Sequence, residues 1–141
     1  MNDKYFIDTN ILIYSIDNQD KVKKPRSLAL VNEAIISRNG IISWQVLQEF
    51  LNVATRKFET TFKPHDLSEY TQKVLNPLCE IYPDINLYHD ALGINQSTNY
   101  SFYDSLILAS AIRAECTILY SEDFQAGQII NRLKVVNPFL D

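Results

Sequence analysis

The sequence predicts an α/β protein whose parallel β-sheet is covered by helices on both faces. Short apolar runs with strand-like composition alternate along the chain with segments of helical periodicity, a pattern typical of such sheets. The segment 103–114 is apolar nearly all round, as expected for a central buried helix. At 141 residues the chain has the size of one domain and can bury a proper core.

The first third of the chain contains two predicted strands. KYFI (4–7) is a buried strand, and the segment from Thr9 begins a helix or a tight turn. Residues 25–38 form a helix whose left-handed exit we assign to Asn39–Gly40. GIIS (40–43) is the second strand.

The middle of the chain adds two helices and a strand. Ser43 caps a helix over 44–58, whose apolar residues recur at helical spacing. Another helix starts near Asp66, which we expect to form a capping box with Glu69. CEIY (79–82) is the third predicted strand.

In the last third of the chain, predicted helices again alternate with predicted strands. Residues 84–97 are predicted to be helical, and 103–114 form the buried helix. CTILY (116–120) is a strand, SEDFQAG (121–127) is a loop, and a short terminal strand lies around 134–136.

Composition excludes several classes of function. The formal net charge of −4 argues against holding nucleic acid by bulk electrostatics, and no glycine-rich phosphate-binding loop occurs. The chain has neither a membrane-spanning apolar run nor a secretory signal pattern at its start. Cys79 and Cys116 lack metal-site spacing, which indicates buried free thiols in a reducing compartment. We therefore expect a cytoplasmic protein.

Four acids lie at strand ends or at the helix starts beside them. Asp8 interrupts the apolar run YFIDTNILIY, and Glu49, Asp104 and Asp123 follow later strands or open neighbouring helices. Each of these acids could also have an ordinary structural role. Asp8 could cap a helix, Glu49 could lie on a solvated face, Asp123 could be a turn residue, and Asp104 could form a capping box with Ser101.

Taken together, the four acids favour a metal site. Carboxyl ends of parallel strands meet at one edge of the sheet, and crowded carboxylates there repel one another unless a cation is bound. Oxygen ligands suit Mg²⁺ or Mn²⁺. His65 and His89 are isolated in the sequence, so a zinc site is not indicated.

Three segments in this order carry a family resemblance: YFIDTNILIY, SWQVLQEFLN and YSFYDSLILASAIRAECTILYSEDFQ. They extend from residue 5 to about residue 126. With them the chain resembles the PIN-domain ribonucleases, in particular the VapC-type toxins of bacterial toxin–antitoxin pairs.

The resemblance implies one PIN-like nuclease domain over residues 1–141, a three-layer α/β/α sandwich with a mostly parallel sheet of about five strands. It also implies a Mg²⁺- or Mn²⁺-dependent endoribonuclease. The resemblance assigns the roles of catalytic acid and metal ligand to Asp8, Glu49, Asp104 and Asp123. Asn10 and Ser121 support them, and Glu122 competes with Asp123 for the fourth position.

Substrate contact requires positive charge, because the predicted site is acidic. Arg56 and Lys57 follow Glu49 by two helical turns, about 10 Å along the axis, and are candidate RNA contacts. A second basic patch comprises Lys21, Lys23, Lys24 and Arg26, and its alternative is a solubilising surface.

Partners follow from the resemblance as well. It implies an RNA substrate such as tRNA or rRNA, a small antitoxin, and a homodimer. Alternatives are a PIN-domain RNA-processing nuclease and a non-catalytic RNA-binding module. Two further classes are disfavoured. A haloacid-dehalogenase-like phosphatase needs a second Asp at the position of Asn10, and a receiver domain needs a Lys after a late strand, where SEDFQ has none.

Overall fold

The protein is described by a computed structural model over residues 3–58 and 62–140, and within them six strands form one sheet. The strands are β1 (Tyr5–Ile7), β2 (Gly40–Ser43), β3 (Cys79–Ile81), β4 (Ile118–Tyr120), β5 (Ile129–Ile130) and β6 (Leu133–Val136). Their order across the sheet is β3-β2-β1-β4-β6-β5.

The predicted α/β class with a mostly parallel sheet is confirmed. All pairings are parallel except that of β5 with β6, which is antiparallel. β5 is the strand beyond the five expected. It has two residues and follows the loop after β4, so it carries almost no periodic signal.

Helices connect the strands and cover the sheet. α1 packs against α2 and α3, and α6 packs against α7. A π-helical turn, Thr71–Leu75, joins α4 to α5. The helices are α1 (Thr9–Ile16), α2 (Lys23–Ser37), α3 (Trp44–Lys57), α4 (Pro64–Tyr70), α5 (Asn76–Leu78), α6 (Ile85–Ser97) and α7 (Phe102–Arg113).

The core lies along the central strands and α7. Phe6, Ile42 and Leu119 are fully buried on neighbouring strands. α7 is buried without interruption from Ser105 to Ala111, which confirms the predicted central helix. No helix in the described ranges is long and apolar enough to cross a membrane.

Two local predictions are wrong. The left-handed residue after α2 is Arg38, with φ of 63°, and not Asn39 or Gly40. Helix α4 begins at Pro64, two residues before Asp66, and its capping box joins Lys63 with Asp66 and not Asp66 with Glu69. Asp66 is therefore its third residue, where the carboxylate accepts a hydrogen bond from the Lys63 amide at 3.4 Å.

Both cysteines are buried and free, as the sequence predicts. Burial raises the pKa of both thiols, that of Cys116 to about 12. Neither thiol is therefore ionised near neutral pH.

Candidate active site

Asp8 directly follows β1 and occupies the N-cap position of α1. Its backbone N–H donates to the Tyr120 carbonyl of β4 at 3.0 Å, which fixes it at the carboxyl edge of the sheet. One carboxylate oxygen, Oδ1, accepts from the Thr9 amide at 2.7 Å. Asp8 therefore caps α1, which was its interpretation without a metal. It is also only 6% exposed, and it lies at the edge of the sheet where a site is expected.

Asn10 and Ser121 connect Asp8 to Asp123. The Ser121 hydroxyl donates to Asp8 Oδ2 at 2.7 Å and accepts from the Asp123 amide at 3.1 Å. Asn10 Nδ2 donates to Ser121 Oγ at 3.2 Å and to Asp123 Oδ2 at 3.0 Å. The structure thus brings together the ends of β1 and β4.

Glu49 joins this group from α3. Thr9 Oγ1 donates to Glu49 Oε1 at 2.6 Å, and Gln45 Nε2 donates to Glu49 Oε2 at 3.3 Å. The side chain is half-buried, so Glu49 does not lie on a freely solvated face. Sequence reasoning gave no role to Thr9 or Gln45, although each stands one helical turn or less from a predicted acid.

Asp104 faces the same edge from the first turn of α7. Its amide donates to Ser101 Oγ at 3.2 Å, so the predicted cap is present. Burial raises the pKa of Asp104, and the nearby charge of Asp123 raises it further. Asp104 has no hydrogen bond to the other three acids in the described structure, and its connection to Asp123 is electrostatic.

The four acids, which we call the acidic edge (Asp8, Glu49, Asp104 and Asp123), are not neutralised by protein cations. None of the ion pairs among residues 3–58 and 62–140 includes any of them. Burial raises the pKa of Asp8 to about 7. Hydrogen bonds from Ser121 and Thr9 oppose this rise, and the charges of Asp123 and Glu49 add to it.

Glu122 points away from the acidic edge. Its Oε1 accepts from the Tyr14 hydroxyl, and its Oε2 pairs with Lys23 Nζ at 2.7 Å. The Lys23 ammonium also lies 4.7 Å from the Tyr14 ring centre and 5.2 Å from that of Phe139. Asp123 is therefore the residue of SEDFQ that reaches Asn10, and Lys23 is engaged in a specific contact.

The donor set fits a hard divalent cation. Asn10 Oδ1 is a buried acceptor with no hydrogen-bond partner in the described structure, and Nδ2 of the same amide donates to Asp8 Oδ2 at 3.4 Å and to Asp123 Oδ2 at 3.0 Å. Oxygen donors of this kind suit Mg²⁺ or Mn²⁺. As the side chains stand, no three His, Cys, Asp or Glu groups of the described ranges are gathered closely enough to hold one ion.

The remaining candidates lie away from these contacts. Arg56 donates from Nε to the Asn52 carbonyl of its own helix, and no described hydrogen bond or ion pair joins Arg56 or Lys57 to the acidic edge. His65 is exposed and lies 3.6 Å from Glu69, and His89 is exposed on α6.

The sequence model of the PIN domain family matches residues 5–129. The chain belongs to the PIN domain family. A search of curated proteins finds no match. Among the solved structures that resemble this PIN domain are three with TM-scores of 0.60 to 0.65, and their sequence identity is too low to indicate more than a shared fold.

VapC20 of Mycobacterium tuberculosis, described as a sarcin–ricin loop cleaving toxin, is 15% identical with a TM-score of 0.60, and the match covers 85% of this chain and 90% of that chain. FitAcB from Neisseria gonorrhoeae is 18% identical with a TM-score of 0.65, and the match covers 96% and 98%. VapBC2 from Rickettsia felis, bound to a DNA fragment from its promoter, is 18% identical with a TM-score of 0.62, covering 93% and 96%.

Proposed function

We propose that this PIN domain is a divalent-cation-dependent endoribonuclease that acts in the cytoplasm as the toxin of a toxin–antitoxin pair. One observation carries the nuclease proposal. The buried carboxylate of Asp8 lies near the charges of Glu49 and Asp123 and beside the Asn10 amide, whose Oδ1 is unpartnered in the described structure, and no described ion pair neutralises the group. Such an arrangement is costly unless a cation occupies it.

In this proposal the acidic edge holds Mg²⁺ or Mn²⁺. A bound ion of this type supplies Lewis-acid activation of water and neutralises charge on the reacting phosphate. Asp8 is held by Ser121 and Thr9, so its carboxylate is oriented in advance. Asp123 is the most exposed of the four acids. In this proposal it orients the attacking water.

Asn10 and Ser121 act by positioning. Asn10 Nδ2 bridges Ser121 and Asp123, so it fixes the distance between the ends of β1 and β4. Loss of a group that orients a metal ligand typically reduces metal affinity or activity about 10- to 100-fold. We expect Asn10→Ala to fall in this range.

The direct test is cleavage of single-stranded RNA by the purified chain with Mn²⁺ and with EDTA. We expect Asp8→Asn and chelation each to abolish cleavage, while circular dichroism shows an intact fold. Asp90→Asn is the matched control, because Asp90 is an exposed acid on α6 whose carboxylate lies 3.8 Å from the Arg113 guanidinium. Cleavage that survives in Asp8→Asn or in EDTA contradicts the metal mechanism.

The toxin role is supported by the kinds of protein that share the fold, which include a sarcin–ricin loop cleaving toxin and complexes named for toxin–antitoxin pairs. We propose rRNA or tRNA as substrate, a small antitoxin as partner, and a homodimer as the assembly. Induced expression in a bacterial host should stop growth, and Asp8→Asn should restore it. Cleavage in vitro without growth arrest would instead favour an RNA-processing nuclease.

A further inference from the structure

An open pocket lies beside the acidic edge, between the starts of α3 and α7. Its volume is about 480 Å³, which exceeds the volume of one nucleobase severalfold. We call it the aromatic pocket. It is lined by Ser43, Trp44, Gln45, Gln48, Ile81, Pro83, Leu87, Tyr88, Phe102, Tyr103, Leu106 and Ser110.

Exposed aromatic side chains are concentrated at this pocket. Among the residues that the structure describes, Trp44, Tyr82 and Tyr103 are the exposed members of the Phe, Tyr and Trp class. Trp44 and Tyr103 line the pocket, and the Tyr82 ring lies 5.5 Å from that of Trp44. Packing of the core does not explain them, because Tyr103 is 66% exposed. Such rings offer faces on which bases can stack.

The aromatic pocket is directly connected to the acidic edge. Gln45 Nε2 donates both to Glu49 Oε2 at 3.3 Å and to the Tyr103 carbonyl at 3.2 Å. Tyr103 immediately precedes Asp104 in α7. A nucleic acid strand with a phosphate at the acids therefore has its neighbouring base within reach of Trp44 and Tyr103.

The pocket is uncharged and contains a free acceptor. None of its lining residues is Asp, Glu, Lys or Arg, so it suits a base better than a phosphodiester. Gln45 Oε1 is a buried acceptor with no hydrogen-bond partner in the described ranges. A base carries N–H donors on its edges that can pair with this oxygen.

We propose that the aromatic pocket binds one nucleobase of single-stranded RNA next to the scissile phosphate, stacked on Trp44 or Tyr103 and hydrogen-bonded to Gln45 Oε1. This inference rests on the proposed nuclease function and adds a base-binding subsite to it. The competing occupant is a second copy of this chain, which would cover the same aromatic side chains.

Trp44 is the chain's single tryptophan, so its fluorescence reports on the pocket without interference. The Asp8→Asn chain in Mg²⁺ is titrated with a mixed-sequence RNA hexamer and with an abasic hexamer of equal phosphate count. We expect saturable quenching by the RNA and none by the abasic strand. Equal quenching by both strands, or by neither, overturns base stacking.

Kinetics provide the second test. Trp44→Ala and Tyr103→Ala should each raise KM for RNA cleavage roughly 5- to 150-fold, the usual effect of removing a stacking aromatic, with a smaller change in kcat. Trp44→Phe keeps a ring and should restore most of the affinity. Ile36→Ala, which removes an exposed apolar side chain from α2, is the matched control and should leave KM unchanged.

The outcomes separate the two proposals. If the wild-type chain cleaves RNA and both alanine variants keep its KM, the subsite is wrong and the nuclease proposal stands. If the wild-type chain cleaves no RNA, the nuclease proposal fails, and the fluorescence titration still decides base binding. If sedimentation shows a dimer that Trp44→Ala dissociates, a second copy occupies the pocket and the base-binding proposal is overturned.

Discussion

At the scale of single residues, Asp8 serves two roles with opposite electrostatic demands. Capping α1 and accepting from Ser121 favour the ionised carboxylate. Burial and the charges of Asp123 and Glu49 favour the neutral acid, and they prevail, since the pKa rises to about 7. Without a cation, the folded chain therefore holds a proton on Asp8 that the unfolded chain releases at much lower pH.

This shift predicts how the stability of the metal-free chain depends on pH. Because the folded state binds the Asp8 proton more tightly, the free energy of unfolding should decrease as the pH rises from about 4 to about 7, and should then level off. The contribution of Asp8 is at most about 4 kcal/mol, at about 1.4 kcal/mol per pKa unit. Urea unfolding in EDTA at a series of pH values measures it.

Asp8→Asn isolates this contribution from those of other titrating groups. The difference in unfolding free energy between wild type and Asp8→Asn should change between pH 4 and pH 7 and remain constant above. Parallel pH profiles for the two proteins would show that Asp8 titrates at an ordinary pKa.

At the scale of elements, the contact between α2 and β2 depends on one glycine. A Cβ atom at Gly40 would lie 2.1 Å from the Ala34 Cβ and 3.1 Å from the Tyr5 ring. Real atoms do not approach so closely, so the helix would have to move away from the strand. The absence of a side chain at Gly40 therefore sets the distance between α2 and the sheet.

We expect Gly40→Ala to destabilise the fold by roughly 1–3 kcal/mol, the usual cost of overpacking a core. Gly93→Ala is the matched control, because a Cβ at Gly93 in α6 meets nothing within 4 Å. That variant should be stabilised by roughly 0.5–1 kcal/mol, since alanine is the better helix former. Thermal unfolding of both variants compares them, and equal effects would refute the packing argument.

Elements with a clear period were predictable, and those set by tertiary contacts were not. The long apolar run of α7 favours a buried helix, and the short apolar run before Asp8 favours a buried strand, as the structure has them. The residue that adopts the left-handed conformation after α2 is Arg38 and not a glycine. Gly40, two residues later, is instead required for the close approach of the strand to Ala34. A sequence pattern does not distinguish these two uses of glycine.

The position of the candidate acids at one edge of the sheet was predictable from topology, and their contacts were not. Strand ends of a parallel sheet converge, which places Asp8 and Asp123 at the same edge. The bond from Thr9 to Glu49 joins residues 40 positions apart and depends on how α1 packs against α3. The orientation of Glu122 depends on Lys23, which is distant in the sequence.

At the scale of the whole molecule, the proposed function requires the chain to bring a polyanion to its own acidic edge. Its net charge of −4 opposes this, and Lys23 is already paired with Glu122. Arg56 and Lys57 stand exposed in the last turn of α3, the helix that carries Glu49. They are the cations of that helix closest to Glu49 in sequence, and we predict that they contact RNA phosphates.

Binding of single-stranded RNA to the Asp8→Asn chain in Mg²⁺, measured across a salt series, tests this prediction. Each phosphate contact that is lost should reduce the slope of log K against log salt by about 0.7, so Arg56→Ala and Lys57→Ala should each weaken binding and flatten the slope. Arg132→Ala is the control. Arg132 directly precedes β6, so it lies at the edge of the sheet opposite the acids, and its loss should leave the slope unchanged. If Arg56→Ala leaves the slope unaltered, Arg56 does not contact RNA. If Arg132→Ala changes the slope as much as Arg56→Ala does, only the overall charge of the chain matters.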